Sequence, residues 1–350
     1  MGENRAHGER ARRISMGTGK PRVYVIGTGG SISCAGESRL DLLNYNYADL
    51  HLTIDEMLAR IPEANDVADI RAEQFSNIYG GDLAPAQWLE LARRIEQIYR
   101  DDAAATGVVV THGTATLEET AFFLNLAVRS AKPVVVTGAM RPSTGLGTDA
   151  DINLYDAIRV AASPGAAGKG VLVVLNNEIQ AARDVTKTNT SRIETFKSGE
   201  LGFLGYADAD GKVVFLRAPA RAHTAASEFD IAAIAALPRV DIAIAFAGAD
   251  GVAIKALVAA GCNGIVSAGL GSGSAPRAFL DALVEAKQRG VCVVMASQVG
   301  SGRVMAKRAF TEKGFIAADS LAPKKARILL MLALARTRDA SEIQRMFLAY

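Results

Sequence analysis

The chain has 350 residues, of which 49% are hydrophobic and 22% charged, and its formal net charge is +2. This composition predicts a well-buried core arranged as one large domain or two ordinary ones, and it argues against intrinsic disorder. Apolar runs such as residues 171–175 are far shorter than the roughly 20 residues that span a bilayer. We therefore expect no transmembrane helix and no membrane partner.

The positive charge is concentrated at the amino terminus. Residues 1–20 carry a net charge of +3, whereas the remaining chain carries −1. A body with that balance offers no electrostatic basis for binding nucleic acid. No apolar stretch follows the basic residues, so the segment does not resemble a secretory signal peptide, and we interpret residues 1–20 as a flexible extension.

Cysteine and histidine usage limits the chemistry further. Cys34, Cys262 and Cys292 are widely spaced and form no Cys-x-x-Cys pair, which favours a reducing, cytoplasmic compartment over a disulfide framework. The four histidines are scattered along the chain, so a zinc site is not expected.

Strand-like and helix-like patterns alternate over the first part of the chain. Apolar strands are predicted over residues 23–26, 107–111, 133–137 and 171–175, with helices from about residue 116 and over 149–162. Thr116 and Glu119 have the spacing of a capping box at the start of the first of these helices. The alternation predicts a mostly parallel sheet covered by helices on both faces.

The pattern weakens between residues 216 and 237, a segment bracketed by Pro219 and Pro238 and interpreted as an inter-domain linker. A second α/β pattern follows, with strands over 241–246, 264–268 and 291–296 and helices near 252–260, 277–289, 323–336 and 340–348. We therefore predict two α/β domains, a larger one over residues 21–215 and a smaller one over 238–350.

A glycine turn, Gly27-Thr28-Gly29-Gly30-Ser31, follows the first strand directly, where open α/β sheets place their ligands. A dinucleotide fingerprint would need a third glycine, but position 32 is Ile. A P-loop is excluded because no Gly-Lys-Ser/Thr follows at the required spacing. The turn taken alone is equally compatible with a tight bend that has no chemical role.

Several longer motifs, taken together, resemble the L-asparaginase/glutaminase family from about residue 21 to 350. They are Val25-Ile26-Gly27-Thr28-Gly29-Gly30-Ser31-Ile32, Val110-Thr111-His112-Gly113-Thr114-Ala115-Thr116-Leu117-Glu118-Glu119-Thr120, Gly138-Ala139-Met140-Arg141-Pro142-Ser143, Asn153-Leu154-Tyr155, Arg183-Asp184-Val185-Thr186-Lys187-Thr188-Asn189-Thr190 and Gly264-Ile265-Val266-Ser267-Ala268-Gly269. Their number and order make the resemblance specific.

The resemblance implies a large and a small α/β domain, with active sites at an intimate interface in a homodimer or homotetramer. It also implies hydrolysis of a small-molecule amide through a covalent acyl-enzyme, without a metal or an organic cofactor.

The resemblance also implies four catalytic residues. Ser31 stands in place of the family's first threonine and keeps the attacking hydroxyl while losing the methyl that restricts χ1. Tyr47, on a possible lid over residues 42–47, aligns with the tyrosine that activates this nucleophile, although Tyr45 is an alternative. Thr114 and Lys187 match the second threonine and the lysine that relay a proton. Backbone amides of the glycine turn are expected to stabilise the oxyanion.

The substrate-binding positions depart from the family pattern. Family members carry Thr-Asp at Thr114-Ala115, where the aspartate holds the α-ammonium group of the substrate. They carry Ser-Gln at Gly80-Gly81, next to Asp82, and an asparagine from the partner subunit at Gly248. We count Gly80, Gly81, Asp82, Ala115 and Gly248 as the substrate-binding candidates.

Loss of one partner of a desolvated charge pair costs about 3–5 kcal/mol, so the missing aspartate alone predicts a roughly hundred- to thousand-fold penalty for asparagine. The hypothesis is an asparaginase-fold amidohydrolase acting on a bulkier amide, or on one without a free α-amino-acid head. A weak genuine asparaginase and a non-catalytic metabolite-binding protein remain as alternatives, and retention of Ser31, Thr114 and Lys187 argues against the second.

Overall fold

The computed structural model of the protein describes residues 19–45 and 50–350. Almost all of the expected flexible extension over residues 1–20 lies outside the described residues, and so does Tyr47. Within the described ranges, the chain contains no helix that is long and apolar enough to cross a membrane.

The larger of the two main sheets has eight strands. They are β1 (Arg22–Gly29), β2 (Asp69–Ile78), β3 (Ala105–Thr111), β4 (Val134–Thr137), β5 (Val171–Leu175), β6 (Glu178–Ala181), β9 (Gly205–Ala207) and β10 (Val213–Phe215). Their spatial order is β10-β9-β6-β5-β4-β3-β1-β2. Strands β1 to β5 pair in parallel, whereas β6, β9 and β10 pair antiparallel at one edge. Two short strands, β7 (Thr186–Lys187) and β8 (Phe196–Lys197), form a separate antiparallel pair.

The inner parallel strands β3, β4 and β5 are rich in buried valine and leucine because both faces of the sheet are covered there, whereas the edge strand β2 is largely polar. Along β3, Val108 and Val110 belong to one hydrophobic cluster, whereas Val109 belongs to another on the opposite face. The helices around this sheet are α1 (Ile54–Ala59), α2 (Ala64–Val67), α3 (Pro85–Asp101), α4 (Leu117–Ala127) and α5 (Ala150–Ala162). Helix α5 packs on the Val109 face, and α3 and α4 pack on the other.

The smaller main sheet is parallel, with the order β11-β12-β13-β14. Its strands are β11 (Val240–Ile244), β12 (Gly264–Gly269), β13 (Cys292–Ser297) and β14 (Ile316–Ala317). Its helices are α6 (Val252–Ala259), α7 (Arg277–Gln288), α8 (Arg308–Thr311), α9 (Pro323–Leu334) and α10 (Ala340–Ala349). The predicted class of two α/β domains, the larger one mostly parallel and flanked by helices, is confirmed.

The two sheets share a hydrophobic cluster. Helix α9 is buried along most of its length, and it packs against β11, β12 and β13 of the small sheet and against α4 of the large domain. Phe229 and Ile231, in the segment predicted to link the domains, are buried in the same cluster. Part of this segment is therefore packed into the core, and α9 forms a direct bridge between the domains.

The predicted capping box at the start of α4 is wrong. Thr116 is the N-cap residue, but its side chain makes no capping hydrogen bond. Its hydroxyl instead donates to the carbonyl oxygen of Gly80 at 2.5 Å. The Gly80 carbonyl has replaced the local backbone amide as the partner of the Thr116 hydroxyl, and this bond connects two loops of the site described below.

Candidate active site

The site lies where β1 and β3 end. These strands are parallel neighbours in register, with Gly27 opposite Thr111, so the loops that follow them leave the same edge of the sheet. The Thr28 hydroxyl donates to the carbonyl oxygen of Thr111 at 2.7 Å and ties the two strand ends together. This is the edge at which parallel α/β sheets place their ligands.

Glycines let the two loops touch. Gly29 and Gly30 have φ values of +105° and +86°, a region that side chains rarely adopt. A Cβ atom added to Gly30 would lie 2.2 Å from the Cα atom of Gly113, a distance that no real contact shows. Ser31 and Thr114 directly follow these two glycines, so the backbone contact brings the two catalytic candidates onto adjoining loops.

The Ser31 hydroxyl lies 3.1 Å from the phenolic oxygen of Tyr45, at hydrogen-bonding distance. Tyr45 is therefore the tyrosine that contacts Ser31 among the described residues, and the preferred candidate, Tyr47, lies outside them. The sequence offered both tyrosines, and their two-residue spacing gave no local reason to choose. Within the described part of the chain, the contact makes Tyr45 the group best placed to act on the Ser31 hydroxyl.

Thr114 and Lys187 form the second polar pair. The Lys187 ammonium group donates to the Thr114 hydroxyl oxygen at 2.9 Å, across 73 residues of sequence. Thr114 is buried and Lys187 is half-buried on β7. Burial, followed by the nearby charge of Lys324, lowers the pKa of Lys187 below its usual value, although Glu118 opposes this shift. The arrangement suits a lysine that exchanges a proton with a hydroxyl.

His112 lies beside this pair, but its contacts are structural. Its ring nitrogens lie 2.8 Å from the Gly113 carbonyl oxygen and 2.8 Å from the Thr120 hydroxyl. Complete burial lowers its pKa to about 4, so the imidazole is neutral at physiological pH. His112 therefore fixes the turn that presents Thr114.

One expectation for the oxyanion site needs correction. The Gly30 amide donates to the carbonyl oxygen of Ile78 at 3.1 Å and is already engaged within the protein. A developing oxyanion cannot use that amide without breaking the bond, so Gly30 is not one of its donors.

The recognition side of the site is formed by backbone rather than by side chains. Gly80 is buried, and a Cβ atom there would lie 2.7 Å from Gly113 Cα, so the loops leave no room for a serine side chain. A Cβ atom on Gly81 would lie 2.8 Å from the ring of Tyr79, which is 55% exposed. The Tyr79 ring therefore occupies the space into which a residue-81 side chain would begin to extend.

The remaining substrate-binding candidates are exposed. Ala115 and Asp82 face solvent in the single chain. Gly248 lies in the smaller domain with φ +80°, is also exposed, and has no atom within 4 Å of a Cβ built on it. Among the described residues, no hydrogen bond or ion pair joins these three positions to Ser31.

Sequence reasoning missed two charged residues near the catalytic lysine. Glu118 is buried at the start of α4, and its carboxylate accepts from the Lys324 ammonium group at 2.9 Å. Glu118 and Lys324 are 206 residues apart in sequence, so no local pattern could pair them. Across residues 19–45 and 50–350, no group of three or more His, Cys, Asp or Glu side chains is placed to hold a metal ion.

Side-chain hydroxyls paired with a tyrosine and a lysine, at the carboxyl edge of a parallel sheet, are typical of hydrolases that attack a carbonyl carbon covalently. Two family models match the chain: the N-terminal asparaginase domain over residues 22–221, and the C-terminal glutaminase/asparaginase domain over residues 239–347. The chain therefore belongs to the asparaginase/glutaminase family, and it is an amidohydrolase.

Individual relatives cover almost the whole chain. L-asparaginase 2 of Escherichia coli (strain K12) is 42% identical over 332 residues, which is 94% of this chain and 93% of the relative. Glutaminase-asparaginase of Pseudomonas fluorescens biotype A is 40% identical over 345 residues, covering 97% and 93%. The crystal structure of a probable cytoplasmic L-asparaginase from Campylobacter jejuni superposes with a TM-score of 0.87 at 41% identity and covers 95% of this chain and 100% of that chain.

Proposed function

We propose that the protein hydrolyses a carboxamide other than free asparagine, one that is bulkier or that lacks the α-amino-acid head. The observation that carries this proposal is the lack of polar side chains on the recognition side of the site. Gly80, Gly81 and Ala115 offer no side-chain hydroxyl, amide or carboxylate. At Gly80 the close contact with Gly113 leaves no room for any side chain. Candidate substrates include N-substituted amides, peptide-like compounds and lactams.

In the proposed mechanism, the Ser31 hydroxyl attacks the amide carbon while Tyr45 takes up its proton and releases its own phenolic proton toward Thr114. The amine or ammonia leaves with a proton, and an ester to Ser31 remains. Water then attacks this ester, releasing the acid and restoring the serine hydroxyl. Thr114 and Lys187 relay protons beside the reacting centre, which their 2.9 Å hydrogen bond supports.

A second candidate is hydrolysis of free asparagine or glutamine. Its support is the naming of relatives at 40–42% identity as L-asparaginase and glutaminase-asparaginase. This candidate requires other groups to replace the missing charge partner of the α-ammonium group. Since that partner is worth about 3–5 kcal/mol, the two candidates predict very different Michaelis constants for asparagine.

The test is release of ammonia or amine from a panel of amides that includes asparagine, glutamine, their N-acylated forms and simple lactams. Wild type is compared with Ser31→Ala and Lys187→Met. We expect both variants to lose turnover and asparagine to be a poor substrate. Equal turnover by all three proteins would discard the mechanism, and a low micromolar Michaelis constant for asparagine would establish the second candidate.

We further propose that the protein acts as a cytoplasmic homodimer or homotetramer. Support comes from exposed apolar side chains near Gly248, since Ile244, Phe246 and Val252 are each at least 60% exposed in the single chain. Light scattering after gel filtration tests the assembly, and Phe246→Glu is expected to weaken it. A monomeric wild type would contradict this proposal.

A further inference from the structure

The first turn of helix α9 carries charges of the unfavourable sign. It contains Lys324 and Lys325 directly after Pro323, and no acidic residue. The amino terminus of a helix bears a partial positive charge that favours anions, so two lysines there are destabilising unless other groups compensate them. Both lysines find their partners in the other domain, close to the catalytic pair.

Lys325 holds the segment that carries the catalytic lysine. Its ammonium group donates to the carbonyl oxygens of Arg183 and Val185, at 2.7 and 2.5 Å. Lys187 is only two residues beyond Val185. The first turn of α9 therefore fixes the backbone from which the Lys187 side chain extends.

Lys324 places a charge beside the same site. Its ammonium group bonds to the Glu118 carboxylate at 2.9 Å, and the Glu118 side chain is only 6% exposed. Burial alone would lower the pKa of Lys324, but the charge and hydrogen bond of Glu118 outweigh burial and raise this pKa above its usual value. Lys324 therefore stays positively charged, and Glu118, in the first turn of α4, follows Thr114 closely in the sequence.

The charged groups around Lys187 come from three elements. They are Glu118 and Glu119 on α4, Lys324, Lys325 and Arg327 on α9, and Arg183 and Asp184 in the segment before β7. Lys325 is engaged by carbonyl oxygens, Asp184 pairs with Arg183, and Glu119 lies near Arg327. The groups that act on Lys187 are Lys324 and Glu118, and Ala115 supplies no carboxylate where relatives carry one.

We propose that Lys324 is a positioning residue for catalysis: anchored on Glu118, its ammonium group favours the neutral, proton-accepting form of the Lys187 amine. The proposal rests on the proposed role of Lys187 as the partner of Thr114. In that role, the Thr114 hydroxyl gives its proton to the Lys187 amine as it receives, through Tyr45, the proton that Ser31 loses. The resulting Lys187 ammonium then passes a proton on to the leaving amine, so Thr114 and Tyr45 keep their hydroxyl protons. A neighbouring positive charge disfavours the protonated state of Lys187 before the reaction begins.

The sign of the pH dependence follows from this role. Turnover requires neutral Lys187, so kcat/KM rises with pH through the pKa of Lys187. In Lys324→Gln, the repulsion is lost and Glu118 is left unpaired, so this pKa rises. We expect the acidic limb of the kcat/KM profile to move to higher pH by about one unit. At pH values below the pKa of Lys187 this lowers kcat/KM about tenfold, and at pH values well above it kcat/KM is unchanged.

The pH profile of kcat/KM on the best amide of the panel tests the proposal with two further variants. Lys324→Arg keeps the positive charge and is expected to leave the acidic limb in place. Glu118→Gln removes the opposing negative charge and is expected to move the limb down. Opposite shifts in Lys324→Gln and Glu118→Gln are a result that loss of structure cannot give.

Direct titration of the Lys187 side chain tests the proposal in variants whose activity is too low for a pH profile. The pH-dependent NMR shift of lysine isotope-labelled at Cε, assigned by its absence in Lys187→Met, should show the same order of pKa values. An unmoved Lys187 titration in folded Lys324→Gln, or a uniform rate loss at every pH, would overturn the proposal. Full activity of Lys187→Met would instead remove the proposed function on which it rests.

Discussion

The two sides of the candidate site differ in what they are made of. On the catalytic side, Ser31, Thr114 and Lys187 keep their functional groups, and two hydrogen bonds of 3.1 and 2.9 Å orient them. On the recognition side, Gly80, Gly81 and Ala115 leave mainly backbone. The proposed function therefore assigns catalytic chemistry and substrate selection to separate residues, so that one can change while the other is retained.

The contact between Gly30 and Gly113 explains why the catalytic side is constrained. It fixes the distance between the loops that carry Ser31 and Thr114, since a Cβ atom on Gly30 would lie 2.2 Å from Gly113. Gly113 is constrained in turn by Gly80, whose Cα would lie 2.7 Å from a Cβ atom on Gly113. The exposed positions Gly81 and Ala115 carry no comparable constraint from the strands. This comparison leads to four predictions, given from the largest expected effect to the smallest.

Removing the lysine on the catalytic side should have the largest effect. Lys187→Met is expected to lower kcat/KM by roughly a thousandfold, because the Thr114 hydroxyl loses its proton partner. Lys197→Met is the matched control: Lys197 lies on the paired strand β8 but binds Glu178 at 2.9 Å. Steady-state kinetics should separate the two variants, and an equal loss in both would point to disruption of the β7–β8 pair.

Forcing the two catalytic loops apart should destabilise the protein. Gly30→Ala combines a φ of +86° with a Cβ atom 2.2 Å from Gly113, and we expect it to lower the free energy of unfolding by roughly 3 kcal/mol or more. Gly168→Ala shares the positive φ but has no atom within 4 Å of its Cβ, so its cost should be roughly 1 kcal/mol. Urea denaturation measures both. Similar values would mean that the loop contact contributes little.

Removing the hydroxyl that contacts Ser31 should lower activity by a smaller factor. Tyr45→Phe is expected to reduce kcat roughly a hundredfold, since it deletes one hydroxyl positioned to relay the Ser31 proton. Tyr47→Phe is the comparison, and we expect it to have the weaker effect. If only Tyr47→Phe lowers kcat, the original alignment with Tyr47 is correct and the Tyr45 contact is not the catalytic one.

Rebuilding the recognition side should give the smallest change. Ala115→Asp combined with Gly81→Gln is expected to raise kcat/KM for asparagine roughly tenfold, because a carboxylate again faces the α-ammonium group. The gain is limited because Tyr79 must move to admit a side chain at position 81. Ala115→Asn with Gly81→Gln adds similar volume without charge. A gain as large with this neutral pair would show that charge is not what the pocket lacks.

The sequence by itself determined the features that depend on local pattern. Apolar runs in the sequence predicted strands β1, β3, β4 and β5, because strands that are covered on both faces carry few polar side chains. Motif order identified Ser31, Thr114 and Lys187, and the structure joins Thr114 to Lys187 directly. The missing side chains at Gly80, Gly81 and Ala115 were equally visible in the sequence.

Only the tertiary structure decided which groups contact one another across distant segments. It placed Tyr45 against the Ser31 hydroxyl, directed the Thr116 hydroxyl to Gly80 instead of its own helix, and placed Tyr79 over Gly81. It also brought Lys324 to Glu118 across 206 residues. Such contacts depend on how strand ends and helices from two domains converge, and a local sequence pattern carries no information about that convergence.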